Sequence, residues 1–102
     1  MPNSFVTNLY PVPVSGADAQ RITPTNLVEA TFADFDPNCK FITFDVQAND
    51  VFMTIDGSAP ATDNGHKLYA GRSYSIARQT ADFARFIADS GTAVIYASQL
   101  TS

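Results

Sequence analysis

The sequence predicts an all-β fold, an antiparallel β-sandwich or jelly-roll-like barrel of about seven short strands. Three observations predict it. Apolar residues recur with period two, as they do on half-buried strands. Clusters of Gly, Pro, Asn, Asp and Ser interrupt the alternation at short intervals. Even where Phe83, Phe86 and Ile87 take helical spacing, Ala84, Phe86 and Ala88 alternate with Arg85 and Ile87.

The elements follow in chain order. Four of the six prolines (Pro2, Pro11, Pro13 and Pro24) fall in the first 26 residues. Proline lacks the N–H that a central strand needs, so residues 1–26 read as an extended N-terminal arm or edge strand, and residues 27–102 as the β-sandwich domain. Within the arm, Ser4–Tyr10 suits a short strand and Ser15–Gln20 a loop. Phe5, Val6, Leu9 and Tyr10 are apolar enough to want burial, either in this domain or on a neighbouring subunit.

Leu27–Phe32 is rich in β-formers, and Ala33–Asn38 carries turn residues. In Lys40–Gln47, Ile42, Phe44 and Val46 point one way, while Thr43, Asp45 and Gln47 point the other. After the polar turn Ala48–Asp50, Val51, Met53 and Ile55 share a face. Two strands joined by three polar residues predict a β-hairpin. Residues 56–66 form a loop. Tyr74 and Ile76 alternate with Ser73, Ser75 and Ala77 in the next strand. A helical turn is expected near residues 79–82 and a strand over 83–88. The Asp89–Gly91 turn then leads into a last strand, Thr92–Ala97, predicting a second hairpin.

The 102 residues suit one domain. Hydrophobic residues make up 45%, enough for a packed core, but charged residues only 16%. A surface so low in charge suits a protein that works in an assembly, because fewer charges need desolvating on contact. Six Lys and Arg against ten Asp and Glu give a formal net charge of −4. With no basic patch, neither nucleic acid nor an anionic membrane is an expected partner. No run of 18 apolar residues is present, and the first residues lack the pattern of a signal peptide.

Chemistry has few candidates. Cys39 and His66 are the only residues of their kinds. A Cys–His hydrolase is arithmetically open, but a buried small hydrophobe is the plainer reading of Cys39. Two such residues cannot make a structural zinc site. Asp34 and Asp36, and Asp56, Asp63 and Asn64, lack the spacing of a calcium loop and read as turn caps. No phosphate-binding glycine motif occurs. The expectation is a protein with no catalytic residues, cofactor or metal. Tyr10, Tyr69, Tyr74 and Tyr96 are candidates for exposure, at subunit interfaces or as a row of sugar platforms.

Val51–Pro60, then Asn64–Gly65–His66–Lys67–Leu68, Ala70–Gly71 and Ser90–Tyr96, form a recognisable series. A strand ends in Asp-Gly-Ser-x-Pro, continues to Asn-Gly-His-x-Leu, and reaches Ala-Gly before the next strand. This pattern resembles small β-sandwich virion proteins of tailed phages, over residues 40–98. The resemblance implies a capsid cement or decoration protein on the virion surface, made in the host cytoplasm. It would bridge major capsid protein subunits as a homo-oligomer, with trimers at three-fold sites. A neck, tail or baseplate protein is the near alternative, and a carbohydrate-binding module the distant one. The residues themselves give the loop a structural reading. Gly57 and Gly65 permit positive φ, Pro60 stiffens the chain, Asp56 and Asn64 cap turns, and His66 can bond loop carbonyls. Phe5, Leu9, Tyr10 and Tyr69 are the candidate interface residues.

Overall fold

The alternation in Phe41–Gln47 builds a central strand whose Ile42, Phe44 and Val46 are buried while Asp45 and Gln47 face solvent. The computed structural model describes residues 12–14 and 19–101. Its strands are β1 (Val12–Pro13), β2 (Gln20–Ile22), β3 (Ala30–Thr31), β4 (Phe41–Gln47), β5 (Val51–Thr54), β6 (His66–Leu68), β7 (Arg72–Ala77), β8 (Arg85–Ala88) and β9 (Val94–Thr101). One short helix, α1 (Arg78–Ala81), precedes β8. The expected strand at Ser4–Tyr10 lies outside the described residues, as do Phe5, Leu9 and Tyr10.

Two antiparallel sheets face each other. The first has the order β1-β9-β4-β7, with β2 also on β9; the second is β3-β8-β5-β6. Strands β1 and β2 pair successive stretches of one edge of β9, with Val12 opposite Thr101 and Gln20 opposite Ala97. Taken together as one interrupted edge strand, they leave the order of a double Greek-key jelly roll.

That order overturns both expected hairpins. β4 and β5 lie in different sheets, and so do β8 and β9. The connections at 48–50 and 89–93 are corners that carry the chain across the sandwich. Three extended residues span roughly 10 Å, the separation of packed sheets, so a short link serves a corner as well as a hairpin. Backbone geometry fits the sharp reversal: Ala48 has φ 73° and Gly91 φ 59°. Among the described residues, the one pair of consecutive strands that share a ladder is β5–β6, across the long loop 55–65.

Aromatic rings close the interior. Phe44 of the first sheet meets Phe86 of the second edge-on, with centroids 5.7 Å apart. Phe32 bridges them at 6.0 and 5.2 Å, and Tyr74 stacks on Phe44 at 5.7 Å. Ile42, Val46, Val51 and Ile95 are fully buried around this cluster. Edge-to-face geometry stabilises such ring pairs beyond the area they bury.

Three local expectations shift. β5 is buried on both faces, because Phe52 lies under the Lys67 ammonium and Thr54 under the following loop. Ile55, expected on the inner face, comes after the strand ends and is exposed. Of the β-rich stretch Leu27–Phe32, only Ala30 and Thr31 pair. Leu27 and Val28 instead occupy a turn closed by Thr25, whose Oγ1 accepts from both of their N–H groups at 3.2 and 2.9 Å.

Candidate functional site

The 55–65 loop is held by short polar side chains. Asp56 Oδ1 accepts from the Ser58 N–H at 3.0 Å and from Ser58 Oγ at 2.6 Å. Those bonds hold the Asp56 carboxyl below its ordinary pKa. Asn64 Nδ2 donates to Ala59 O at 2.7 Å and to Ser58 Oγ at 3.2 Å, closing the far side. Thr54 Oγ1 donates to Ser58 O at 2.6 Å and ties the loop to β5. Arg85, the first residue of β8, ties the loop to that strand, donating to Gly57 O at 2.6 Å while pairing with Glu29 at 2.6 Å. Pro60 is buried beneath.

Asp56 and Asn64 thus supply side-chain bonds within the loop, Gly57 offers its carbonyl to Arg85, and Gly57 and Gly65 adopt φ 84° and 134°. His66 departs from its expected part. It is exposed on β6 opposite Met53, and no loop carbonyl accepts from its ring; Asn64 makes that closure instead. Sequence reasoning missed Ser58 and Arg85. Ser58 was legible as the third residue of an Asp-x-Ser turn. Arg85 was not, because its partners come from distant segments.

Cys39 is 3% exposed at the entrance to β4, with Sγ 3.4 Å from Phe41 O. Burial pushes its thiol up, away from the nucleophilic thiolate. Cys39 lines a depression with Pro37, Lys40, Ala77, Arg78 and Gln79, whereas His66 lines another with Met53, Asp56 and Asn64. We expect native Cys39 to resist a thiol reagent and to react fully in denaturant, which a colorimetric thiol assay reads directly. Rapid native labelling would revive the thiol-enzyme reading. Among the described residues, no three His, Cys, Asp or Glu side chains converge on a point, and no helix is long and apolar enough to cross a membrane.

The four connections at one end of the sandwich are cross-linked. Asn26 N–H donates to Gly91 O at 2.9 Å, Asn49 Nδ2 to Thr92 O at 2.7 Å, and Ala70 N–H to Asp50 Oδ1 at 2.8 Å. Lys67 lies 3.8 Å from both Asp50 and Asp89, and its ammonium is 5.6 Å from the Tyr69 ring centroid. From this braced end project Leu27, 85% exposed, Val28, 66% exposed, and Tyr69, 50% exposed. At the far end, beyond the start of β8, stand Phe83, 62% exposed, and Ile55, 40% exposed.

No protein family, curated protein or solved structure matches this chain.

Proposed function

We propose that this protein is a phage virion structural protein that cements or decorates the capsid by joining neighbouring major capsid subunits. The observation that carries this reading is the placement of exposed apolar side chains at opposite ends of a braced sandwich. A linker needs two adhesive surfaces that face away from each other. Leu27 and Val28 supply one end and Phe83 the other. Single exposed apolar residues are common, but two consecutive ones on a turn fixed by Thr25 form an anchor ordered before contact. An anchor already rigid loses little entropy on docking. The jelly-roll order and the resemblance over residues 40–98 support the same reading, although this fold also serves lectins and enzymes. The protein works by contact and carries no catalytic group in this account. Assembly as a homo-oligomer, with a trimer at three-fold sites, would multiply individually weak contacts.

Mass spectrometry of purified virions of the encoding phage tests the proposal. Copies comparable in number to the major capsid protein place the chain on the shell. A copy number on the order of a dozen moves it to the neck, tail or baseplate, as expected for a ring assembly. Complete absence from virions overturns the reading. The double variant Leu27→Ser, Val28→Ser gives a finer check. Its unfolding free energy should stay within about 0.5 kcal/mol of the parent, because neither side chain is packed. Its capsid occupancy should fall by about tenfold or more. Parental occupancy would exclude this turn as an anchor.

A further inference from the structure

The outward face of the first sheet carries a row of unlike side chains in register. Arg21 of β2 lies opposite Tyr96 of β9, Tyr96 opposite Asp45 of β4, and Asp45 opposite Ser73 of β7. All four are exposed, Tyr96 by 43%. Neighbouring strands lie ~4.8 Å apart, so the row presents four groups at regular intervals on a rigid ladder. Arg21 Nε donates to Tyr96 Oη at 3.2 Å, with the guanidinium 5.8 Å from the ring centroid. Ser73 Oγ donates to Asp45 Oδ1 at 2.6 Å, which leaves Oδ2 open to another donor. The next row along the strands is Ser98, Thr43 and Ser75, all short hydroxyls.

Such a row suits a particular chemistry. A pyranose offers a face of C–H groups that packs on an aromatic ring, and a rim of hydroxyls that both donate and accept. The Tyr96 ring meets the first need. Asp45 Oδ2 accepts from hydroxyls, and the guanidinium N–H groups that Tyr96 does not use donate to them. An apolar protein partner fits poorly here, because it would desolvate a carboxylate and a guanidinium without replacing their hydrogen bonds. The charges of Arg21 and Asp45 cancel, so the row favours no ion. Among the described residues the tyrosines do not stand in line, and Tyr10 lies outside them. Tyr69 stands at the end of the sandwich and Tyr74 is half-buried against Phe44, so the platform is one tyrosine flanked by polar groups.

We propose that the Arg21–Tyr96–Asp45–Ser73 row binds a neutral pyranose oligosaccharide. Tyr96 is the stacking platform, Asp45 the acceptor, Arg21 the donor, and Ser73 the group that fixes the Asp45 rotamer. The site is independent of the virion reading, since binding is measured on the isolated chain.

The test is an amide-shift NMR titration of the full chain with cellohexaose, xylohexaose, mannohexaose and chitohexaose, each to about 10 mM, a range that captures weak lectin-type affinities. At least one should move the amides of residues 43–47, 73–75 and 94–98 saturably. Tyr96→Ala should then weaken binding by about tenfold or more, Tyr96→Phe should keep most of it, and Asp45→Asn should lose about tenfold. Leu27→Ser should bind as the parent does. Should Tyr96→Ala fail to fold, Asp45→Asn and Arg21→Gln carry the test. The proposal is overturned if no oligosaccharide gives saturable shifts, if the shifts map elsewhere, or if binding survives the loss of both Asp45 and Arg21.

Discussion

Replacing Phe86 with alanine is expected to remove about 3–5 kcal/mol of folding free energy. The ring is 0% exposed and meets Phe32 at 5.2 Å and Phe44 at 5.7 Å, so truncation empties a place where rings from both sheets interlock. Neighbours cannot easily collapse into the void. Phe44 is held by its own ladder and by Tyr74, and β8 is fixed between β3 and β5. Domains of this size have about 5–15 kcal/mol in all, so the variant should be marginal at room temperature. Urea unfolding followed by far-UV circular dichroism measures the loss. Phe86→Leu, which keeps most of the volume, should cost clearly less. A Phe86→Ala loss below about 1 kcal/mol would mean that the sheets repack freely, contrary to the interlocked arrangement described above.

Gly65→Ala should cost about 2–4 kcal/mol, from backbone strain combined with a steric clash. Gly65 has φ +134°, and a Cβ there would lie 2.9 Å from the carbonyl oxygen of Met53. That oxygen belongs to β5, at the point where β6 begins to pair, so the clash cannot be relieved by a side-chain rotation. Gly57→Ala is the natural control. Its φ is +84°, but no atom lies within 4 Å of the added carbon. It should therefore show only the left-handed backbone penalty, about 1 kcal/mol. Parallel urea titrations of the two variants separate conformation from contact. Equal losses would sink the claim that close approach to Met53 is what requires glycine at position 65.

The candidate site was legible where short-range chemistry built it. Asp56, Gly57, Pro60, Asn64 and Gly65 are turn residues whose hydrogen bonds and backbone angles depend on neighbours a few positions away. Ser58 belongs to the same local network. Arg85 escaped notice because it reaches Glu29 and Gly57 from distant segments. Leu27 and Val28 read as strand residues because β propensity carries no record of exposure; the Thr25 hydroxyl, by capturing both N–H groups, takes them out of the ladder. The row on the outer face was hidden for a further reason. Arg21, Asp45, Ser73 and Tyr96 are scattered along the chain, and only strand register brings them side by side.

The sequence by itself determined the all-β class, the inward set Ile42, Phe44 and Val46, the helical turn before β8 and the positions of most turns. Each is a local property: period two marks one buried face, and Gly, Asn, Asp and Pro mark where a chain can reverse. The tertiary structure alone decided which strands pair. Ala48–Asp50 and Asp89–Gly91 are short enough for hairpins, yet both lead to the opposite sheet. Burying Ile42, Phe44 and Val46 against Val51, Met53 and Phe86 requires the strands to face each other across the core, whereas a hairpin would set β4 and β5 side by side. Alternation along one strand is the same in either arrangement, so it fixes a buried face and leaves the lateral neighbour to global packing.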